Sequence, residues 1–353
     1  MPDALWTVRE SALRRVLLSP LLVPELCYRV GAWSHRRCYR WGLMRCARLP
    51  AKVIAVGNLT VGGSGKTPLV GWLARELAAR GRNVAILSRG VRGARSRSVN
   101  VVSDGDHVLC SPVDVGDEPV LLAGTVPGVP VLAGYNRVAL GLRAAALYGA
   151  EILLLDDGFQ HHRLKRDLNL VCIDAQVGFG NGHLLPRGPL REPVSALRDA
   201  DAVFWTRSSP DATDPLPEHL LEFDLPQFVA PIVPTQLRRL GGLELESPDT
   251  LDGQDVAALA AVARPAAFRR ALENLGARVV AERSFGDHHL YRRSDLDSLD
   301  RKLRWITTAK DAVKIPPHWA EGLRIDVLEE EVQTPDRVAI LDWIAAELEK
   351  PSI

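Results

Sequence analysis

The sequence has few of the features that mark disulfide-rich, zinc-binding or nucleic-acid-binding proteins. Its 353 residues include five cysteines, an odd number, and no two of them form a CxxC pair. This argues against a disulfide framework or a structural zinc site, and favours reduced thiols in a cytosolic setting. The 44 basic and 43 acidic residues leave a formal net charge of +1, so no overall charge attracts nucleic acid or an anionic membrane.

Long hydrophobic runs are also missing. A membrane-spanning helix needs roughly 20 apolar residues, whereas the longest early run, residues 16–26, is broken by Pro20 and Pro24. The first ten residues include acids and lack the basic segment and apolar core of a signal peptide, so we expect none. A content of 46% hydrophobic and 25% charged residues is ordinary for a globular protein, and the length suits one large domain plus a smaller one.

Residues 1–50 differ from the rest of the chain because they contain nine arginines against three acidic residues. Interleaved with these charges are Trp6, Tyr28, Trp33, Tyr39 and Trp41. Basic residues beside Trp and Tyr suit a segment that lies in the headgroup region of a membrane. An N-terminal helical hairpin packed on the main domain explains the same composition, and the sequence leaves both interpretations open. No recognised nucleic-acid motif accompanies the segment.

From Lys52 onward, short apolar runs alternate with helical patterns. The runs are 53–56, 83–87, 129–132, 151–155, 168–174 and 202–206, with helices predicted at 67–80 and 136–148. This alternation predicts an α/β fold of the P-loop NTPase type, with a parallel sheet covered by helices on both faces.

The stretch 208–234 is rich in proline and acidic residues, and we interpret it as a boundary or linker. Beyond it, apolar runs and two predicted helices, 265–275 and 335–350, indicate a smaller C-terminal α/β domain. The predicted division is a basic N-terminal segment of the core at 1–50, a core at 51–225, and a smaller domain at 226–353 that closes over the site.

The most informative segment follows a predicted strand and opens a predicted helix, which is the context of a phosphate-binding P-loop. The candidate nucleotide-binding residues are Thr60, Val61, Gly62, Gly63, Ser64, Gly65, Lys66 and Thr67. The glycines let backbone N–H groups turn toward phosphate oxygens without Cβ clashes, and the helix N-terminus adds its positive end. Lys66 can reach the β- and γ-phosphates, and the Thr67 hydroxyl can bind Mg²⁺. Thr60 stands where the strict pattern has glycine, which is compatible only if its backbone does not need a positive φ.

An apolar run at 152–155 ends in Asp156 and Asp157. A buried strand that delivers carboxylates to the C-terminal edge of a parallel sheet is the Walker B arrangement, so these aspartates are expected to hold Mg²⁺, directly or through water. The neighbouring His161 and His162 suggest a metal centre as an alternative. We prefer a loop that faces nucleotide or substrate, because a P-loop site already supplies Mg²⁺ chemistry.

A guanine-reading N/T-K-x-D sequence is absent, since residues 308–311 (TAKD) place Lys and Asp side by side. Several runs instead resemble the tetraacyldisaccharide 4′-kinase family of the lipid A pathway, and they cover most of the chain. They are 56–68 (VGNLTVGGSGKTP), 87–90 (LSRG), 115–119 (VGDEP), 156–161 (DDGFQH), 178–193 (GFGNGHLLPRGPLREP), 285–289 (FGDHH) and 308–311.

The resemblance implies a kinase that uses ATP and Mg²⁺ to phosphorylate the 4′-hydroxyl of tetraacyldisaccharide 1-phosphate, forming the bis-phosphorylated lipid A precursor, lipid IVA. It also implies a peripheral protein on the cytoplasmic face of the bacterial inner membrane. The expected partners are the membrane surface and the lipid-linked substrate, with no nucleic acid and no obligate protein partner. Segment 1–50 then has a role in membrane docking.

The resemblance further implies roles for individual residues. Asp117 is the expected proton acceptor for the sugar hydroxyl, assisted by His288, and Lys66 is the third catalytic residue. The expected metal ligands are Thr67, Asp156 and Asp157, and the expected substrate contacts are Glu118, Gln160, Arg191, Glu192 and Asp287. Because His288 follows the predicted boundary and the P-loop precedes it, we expect the site in a cleft between domains.

Two other functions fit parts of the sequence. A P-loop ATPase or GTPase acting as a metallochaperone or cofactor-insertion factor accounts for the GKT loop and the histidines, and predicts no lipid phosphorylation. A nucleotide-binding membrane scaffold accounts for the basic N-terminus, and predicts that Asp117 and His288 are dispensable.

Overall fold

The computed structural model describes residues 6, 18–91, 93–208 and 222–350, and its strands form two sheets. The larger sheet contains β1 (Lys52–Gly57), β2 (Val84–Ser88), β3 (Asn100–Ser103), β4 (Val131–Ala133), β5 (Ile152–Asp156), β6 (Leu168–Asp174), β7 (Ala202–Thr206) and β8 (Gln227–Ala230). The smaller sheet contains β9 (Ile232–Arg239), β10 (Leu245–Glu246), β11 (Asp255–Ala260), β12 (Arg278–Ser284), β13 (Arg304–Thr308) and β14 (Arg324–Val332). The α-helices are α1 (Leu22–Arg40), α2 (Lys66–Ala79), α3 (Pro112–Val115), α4 (Asp117–Thr125), α5 (Arg137–Tyr148), α6 (Pro265–Asn274), α7 (Arg293–Asp297), α8 (Ala309–Ala312) and α9 (Arg337–Glu349).

The larger sheet has the strand order β3-β4-β2-β5-β1-β6-β7-β8, and every pair except β3–β4 is parallel. Strands β1 and β5 are neighbours, with Val56 opposite Asp156. Because parallel strands end at the same sheet edge, this register brings the start of the P-loop beside the acidic end of β5.

Helices cover both faces of this sheet, which confirms the predicted α/β class. On one face, α2 packs Leu69, Val70 and Leu73 into a buried cluster with Ile54 and Ile86. On the other face, α5 packs against side chains that alternate with these along the same strands. The central strands are therefore buried on both faces, which explains why their sequences read as continuous apolar runs.

The predicted boundary at 208–234 contains more regular structure than its composition suggested. Residues 209–221 lie outside the described part, whereas β8 and the start of β9 occupy most of 227–234, so this part of the stretch is strand and a domain boundary within it stays a prediction. Pro234 pairs with Glu330 at a register irregularity between β9 and β14, where a missing N–H disturbs the ladder least. Proline at such a position is compatible with a strand, although it reads as a loop signal.

The chain passes from the larger sheet to the smaller one between Ala230 and Ile232. After β14 it returns, because α9 buries Ile340 and Ile344 in the same apolar cluster as α2. The larger sheet thus includes β8, and α9 packs against it. The division into domains at 51–225 and 226–353 stays a prediction. For the positions described, no helix is both long and apolar enough to cross a membrane.

Helix α1 has the opposite pattern to a core helix, since Glu25 is its one buried residue. The Glu25 carboxylate accepts a hydrogen bond from the Leu184 amide at 3.1 Å and lies 3.3 Å from His183 Nδ1. Tyr28 donates to the Arg191 carbonyl at 3.0 Å. Polar contacts therefore fasten α1 to the loop at 178–193. Apart from Trp6, the N-terminal half of a predicted hairpin lies outside the described residues.

Candidate active site

A cleft of about 1260 Å³ lies between the two sheets, and the P-loop lines it from Gly62 onward. Gly62 and Gly65 have φ values of 106° and 74°, which only glycine adopts readily. Thr60 has no positive φ and forms an antiparallel bridge with Leu190, while the Val61 amide donates to the Pro189 carbonyl at 2.8 Å. The condition for threonine at this position is therefore met, and the backbones of Thr60 and Val61 pair with the loop at 178–193.

Lys66, at the first turn of α2, lies 3.6 Å from Asp157. Both oxygens of Asp157 also accept hydrogen bonds from the Arg191 guanidinium, at 2.8 and 3.1 Å. Burial favours a higher pKa for Asp157, but Lys66 and Arg191 outweigh it and hold the pKa well below its ordinary value. The structure thus gives Arg191 a protein carboxylate as its partner, rather than the free position expected for a substrate contact.

Asp156 has a different environment although it is the adjacent residue. It is 2% exposed, and its Oδ1 has no hydrogen-bond partner. Burial, with the neighbouring carboxylates of Glu118 and Asp157, raises the pKa of Asp156 to about 7. A buried carboxylate oxygen without a partner fits a cation, and the Thr67 hydroxyl adds a second hard oxygen donor of the kind that Mg²⁺ prefers.

The described residues contain no group of three or more His, Cys, Asp or Glu that could hold a metal ion. A P-loop Mg²⁺ site does not need one, because one or two carboxylates, phosphate oxygens and water complete the coordination. Asp156 and Thr67 therefore fit the implied ion, whereas both Asp157 oxygens are already engaged by Lys66 and Arg191.

We call each sheet with the helices packed on it a unit, the larger unit and the smaller unit. The two units meet at a carboxylate–imidazole pair. Asp117 is the first residue of α4, and His288 follows β12 in the smaller unit. His288 Nδ1 lies 2.9 and 3.0 Å from the two Asp117 oxygens. Burial favours a higher pKa for Asp117, but the His288 hydrogen bond and the charge of Lys310 bring the pKa below its ordinary value. Asp117 is therefore ionised at neutral pH and held in a fixed orientation.

Backbone geometry holds this pair in place. Gly116, which precedes Asp117, has a φ of 89°, and a Cβ there would meet the Val91 carbonyl at 2.6 Å. The sharp turn between α3 and α4 therefore requires glycine. His288 itself has a φ of 61°, an uncommon backbone conformation for histidine, of the kind that clusters at functional sites.

Lys310, at the start of α8, joins the acids of both units. Its Nζ lies 3.3 Å from Glu118, 3.7 Å from Asp287 and 3.9 Å from Asp117. Burial favours a lower pKa for Lys310, but these carboxylates outweigh it and raise the pKa, so the ammonium stays charged. The sequence contained a signal for this residue, because it lies in the TAKD run, but no catalytic role was predicted for it.

Three of the predicted substrate residues line a second cavity of about 370 Å³, between α1 and the loop after β5: Gln160, Arg191 and Glu192. Gln160 donates to the Asn58 carbonyl at 2.8 Å, and Glu192 lies 3.7 Å from Arg36 of α1. Glu118 and Asp287 lie instead in the main cleft. The structure therefore separates the predicted substrate contacts into two groups.

The histidines after β5, His161 and His162, are half-buried beside arginines. Burial and Arg137 lower the pKa of His161 to about 4, and burial and Arg166 do the same for His162. Arg137 is itself buried and donates to the Gly134 carbonyl at 2.6 Å and the Asp156 carbonyl at 3.4 Å. It supports the acidic end of β5, and no motif indicated this.

A glycine-rich loop of this shape binds nucleotide phosphates, and a carboxylate–imidazole pair across the same cleft is suited to take a proton from an acceptor hydroxyl. Fold and site therefore define the class as P-loop kinases.

Comparison with known proteins gives the family. The family model for tetraacyldisaccharide-1-P 4′-kinase matches residues 15–349. A tetraacyldisaccharide 4′-kinase from Anaeromyxobacter sp. (strain Fw109-5) is 45% identical over 334 residues, which are 91% of this chain and 88% of the relative. One from Syntrophus aciditrophicus (strain SB) is 44% identical over 314 residues, 84% of each chain. The chain belongs to the tetraacyldisaccharide 4′-kinase family, and it is an enzyme.

A solved structure agrees with this. The crystal structure of LpxK from Aquifex aeolicus in complex with ATP superposes with a TM-score of 0.79 at 31% identity, covering 94% of this chain and 99% of that one.

Proposed function

We propose that the protein transfers the γ-phosphate of ATP to the 4′-hydroxyl of tetraacyldisaccharide 1-phosphate, and that transfer takes place in the cleft between the two sheets. The observation that carries the proposal is the contact between His288 Nδ1 and Asp117 Oδ2, 2.9 Å apart. This contact joins the two units in the cleft that the P-loop lines. A phosphate donor and a hydroxyl acceptor thus have adjacent places in one cleft, as in-line phosphoryl transfer requires.

Phosphoryl transfer needs positioning and charge neutralisation more than covalent chemistry. In the proposed mechanism the loop amides and Lys66 bind the phosphates, and Lys66 neutralises charge as the γ-phosphoryl group leaves. Asp156 and Thr67 would hold Mg²⁺, which when bound shields the phosphate oxygens. Arg191 keeps Asp157 beside Lys66 and so fixes the ammonium at the mouth of the loop.

The acceptor hydroxyl loses its proton to Asp117 as it attacks. A carboxylate with a lowered pKa is a weak base, but the loose transition state of phosphoryl transfer depends mainly on positioning, so an oriented proton acceptor serves the reaction. His288 supplies the orientation through its Nδ1, and Lys310 balances the charge of Asp117, Glu118 and Asp287. In this account Glu118 and Asp287 contact the reacting sugar, and Gln160 and Glu192 contact the rest of the headgroup, whereas the Arg191 guanidinium stays paired with Asp157.

We further propose that α1 lies on the cytoplasmic face of the inner membrane and presents the lipid headgroup to the site. Its exposed apolar residues support this, among them Val23 at 70%, Leu26 at 59% and Trp33 at 54% exposure. Arg37 stacks over Trp33 and Trp41 at 5.4 and 5.6 Å, so cations and aromatics share one surface. The contact of Tyr28 with Arg191 links this surface to the second cavity.

Replacing Val23 and Leu26 together with serine is expected to weaken binding to anionic phospholipid vesicles by roughly tenfold or more, because two apolar side chains no longer enter the headgroup region. Vesicle co-sedimentation measures the change. The matched control is Leu243→Ser, which removes an apolar side chain that is 95% exposed on the smaller unit. Equal binding by both variants would argue against membrane docking through α1.

The two aspartates at the end of β5 are expected to differ in their effect on the metal. Asp156→Asn should raise the Mg²⁺ concentration for half-maximal activity by roughly tenfold or more, since it alters the carboxylate whose oxygen lacks a protein partner. Asp157→Asn should change it less, because both Asp157 oxygens accept hydrogen bonds from Arg191. Mg²⁺ titrations of the two variants test this, and the reverse order would contradict it.

The proposed reaction is tested by incubating the protein with γ-labelled ATP, Mg²⁺ and purified tetraacyldisaccharide 1-phosphate in detergent. The expected product carries a second phosphate at the 4′ position, established by ³¹P and ¹H NMR. A folded protein that binds ATP but labels no lipid, or labels another hydroxyl, would overturn the proposal.

A further inference from the structure

The P-loop is held by side chains that the mechanism above does not use. Arg264, which immediately precedes α6 in the smaller unit, donates from Nη2 to the Gly63 carbonyl at 2.7 Å and to Asp174 Oδ2 at 2.6 Å. Thr206, at the end of β7, donates to the Ser64 carbonyl at 2.9 Å. Two consecutive carbonyls of the loop therefore have fixed partners, and the first of them is held from across the cleft.

These contacts determine where the loop amides point. In a planar trans peptide, the carbonyl and the N–H of the next residue point in opposite directions. Arg264 on the Gly63 carbonyl therefore turns the Ser64 N–H away from Arg264, and Thr206 on the Ser64 carbonyl does the same for the Gly65 N–H. A P-loop binds phosphate only when such amides converge on one point.

The two peptides differ in how much else restrains them. A Cβ on Gly65 would meet Ile232 at 2.4 Å and Thr206 at 3.0 Å, so packing already fixes that residue. A Cβ on Gly63 would meet only Arg207 Nη2, at 3.8 Å, and one on Gly62 would have nothing within 4 Å. The space beside Gly62 and Gly63 is therefore open, and the hydrogen bond from Arg264 is the contact described above that holds the Gly63 carbonyl.

Arg264 is anchored firmly enough for this. Its carboxylate partner, Asp174, ends β6 of the larger sheet and is 4% exposed. Asp174 also accepts a hydrogen bond from the Gln176 amide at 3.0 Å and lies 3.8 Å from Arg207. The guanidinium therefore bridges the smaller unit, the edge of the larger sheet and the P-loop.

We propose that Arg264 is a positioning residue that aims the Ser64 amide at the nucleotide phosphates. Since Arg264 belongs to the smaller unit, the phosphate affinity of the P-loop then depends on where that unit sits. The inference rests on the proposed function for the identity of the nucleotide. It gives the smaller unit a role in ATP binding that is separate from proton transfer to Asp117.

The first variant is Arg264→Ala. We expect it to raise both the KM for ATP and the Kd for a non-hydrolysable ATP analogue by roughly tenfold. This is the size of effect expected when one hydrogen bond to a charged group is lost. The KM for the lipid substrate and the melting temperature should change little. The matched control is Arg269→Ala, which removes one positive charge from α6 where the side chain pairs with Glu273 at 2.8 Å, and it should leave the Kd unchanged.

A second variant separates positioning from simple attraction between charges. Asp174→Asn removes a negative charge beside the P-loop, so attraction alone predicts tighter binding of anionic ATP. Positioning predicts weaker binding, because Arg264 loses its anchor. This variant also tests the inference if Arg264→Ala does not fold.

An unchanged Kd in Arg264→Ala, or tighter binding by Asp174→Asn, would overturn the inference. So would equal increases in the KM values of both substrates with a lowered melting temperature, which indicate a structural role alone. Binding is measured without lipid, so a failure of lipid phosphorylation by the wild-type protein would count against the proposed function and leave this result standing.

Discussion

Asp117→Asn is expected to lower kcat by about 10²–10⁴, the usual contribution of a positioned general base. Asparagine has nearly the same shape and can keep a hydrogen bond to His288, but it does not accept a proton from the sugar hydroxyl. The Kd for a non-hydrolysable ATP analogue should stay near the wild-type value, because Asp117 does not contact the P-loop in the proposed mechanism. Steady-state transfer and isothermal titration calorimetry measure the two quantities.

The matched control is Asp114→Asn. Asp114 lies three residues earlier and forms a capping box with Ser111 at the start of α3. The Ser111 hydroxyl donates a hydrogen bond to Asp114 Oδ2 at 2.8 Å. Asp114→Asn should lower the free energy of unfolding somewhat, because it weakens this cap, and should change kcat little. If Asp117→Asn keeps most of the wild-type kcat, or if it loses ATP binding together with rate, Asp117 is not the base.

Lys66→Met is expected to have the second large effect, a fall in kcat of about 10²–10³ with weaker ATP binding, because one preorganised charge at the transferring phosphoryl group is lost. Methionine retains much of the aliphatic stem, so packing at the start of α2 is largely preserved. Of the two ion pairs that Asp157 forms with Lys66 and Arg191, the substitution removes the first and leaves the second. Single-turnover transfer at saturating ATP separates the chemical step from binding.

Lys52→Met serves as the control for this substitution. Lys52 begins β1 at the opposite end of the strand from the P-loop and pairs with Asp167 at 3.5 Å. The same change there should leave transfer close to wild type. Comparable losses in the two variants would show that the Lys66 effect reflects stability of the sheet rather than charge at the phosphates.

The sequence predicted the P-loop and the acidic strand end because both are local patterns whose meaning depends only on the strand and helix beside them. Their adjacency followed from the rule that parallel strands end at one edge, and the pairing of Val56 with Asp156 agrees with it. Strands β3, β8, β9, β10 and β14 were missed, and two of them show why. Prolines flank β8, and β14 carries three consecutive glutamates, so neither has the apolar run of a central strand.

Contacts between distant segments were harder to predict. The bidentate pairing of Arg191 with Asp157 depends on the loop at 178–193 returning to pair with Thr60, and no spacing in the sequence encodes that path. The role of Arg264 was missed for the same reason. Helix α1 was obscured by Pro24, which lies in its first turn, where proline costs no intrahelical hydrogen bond.

The central claim is that Asp117 and His288, from different units, act as one proton-accepting pair. A double-mutant cycle with Asp117→Asn, His288→Asn and the combined variant tests it most directly, and asparagine at 288 tolerates the positive φ found there. If the two residues act as a unit, the combined variant transfers phosphate no more slowly than the slower single variant, because one loss already removes the shared function. If the two losses multiply, each residue acts independently, and the account of the site is wrong.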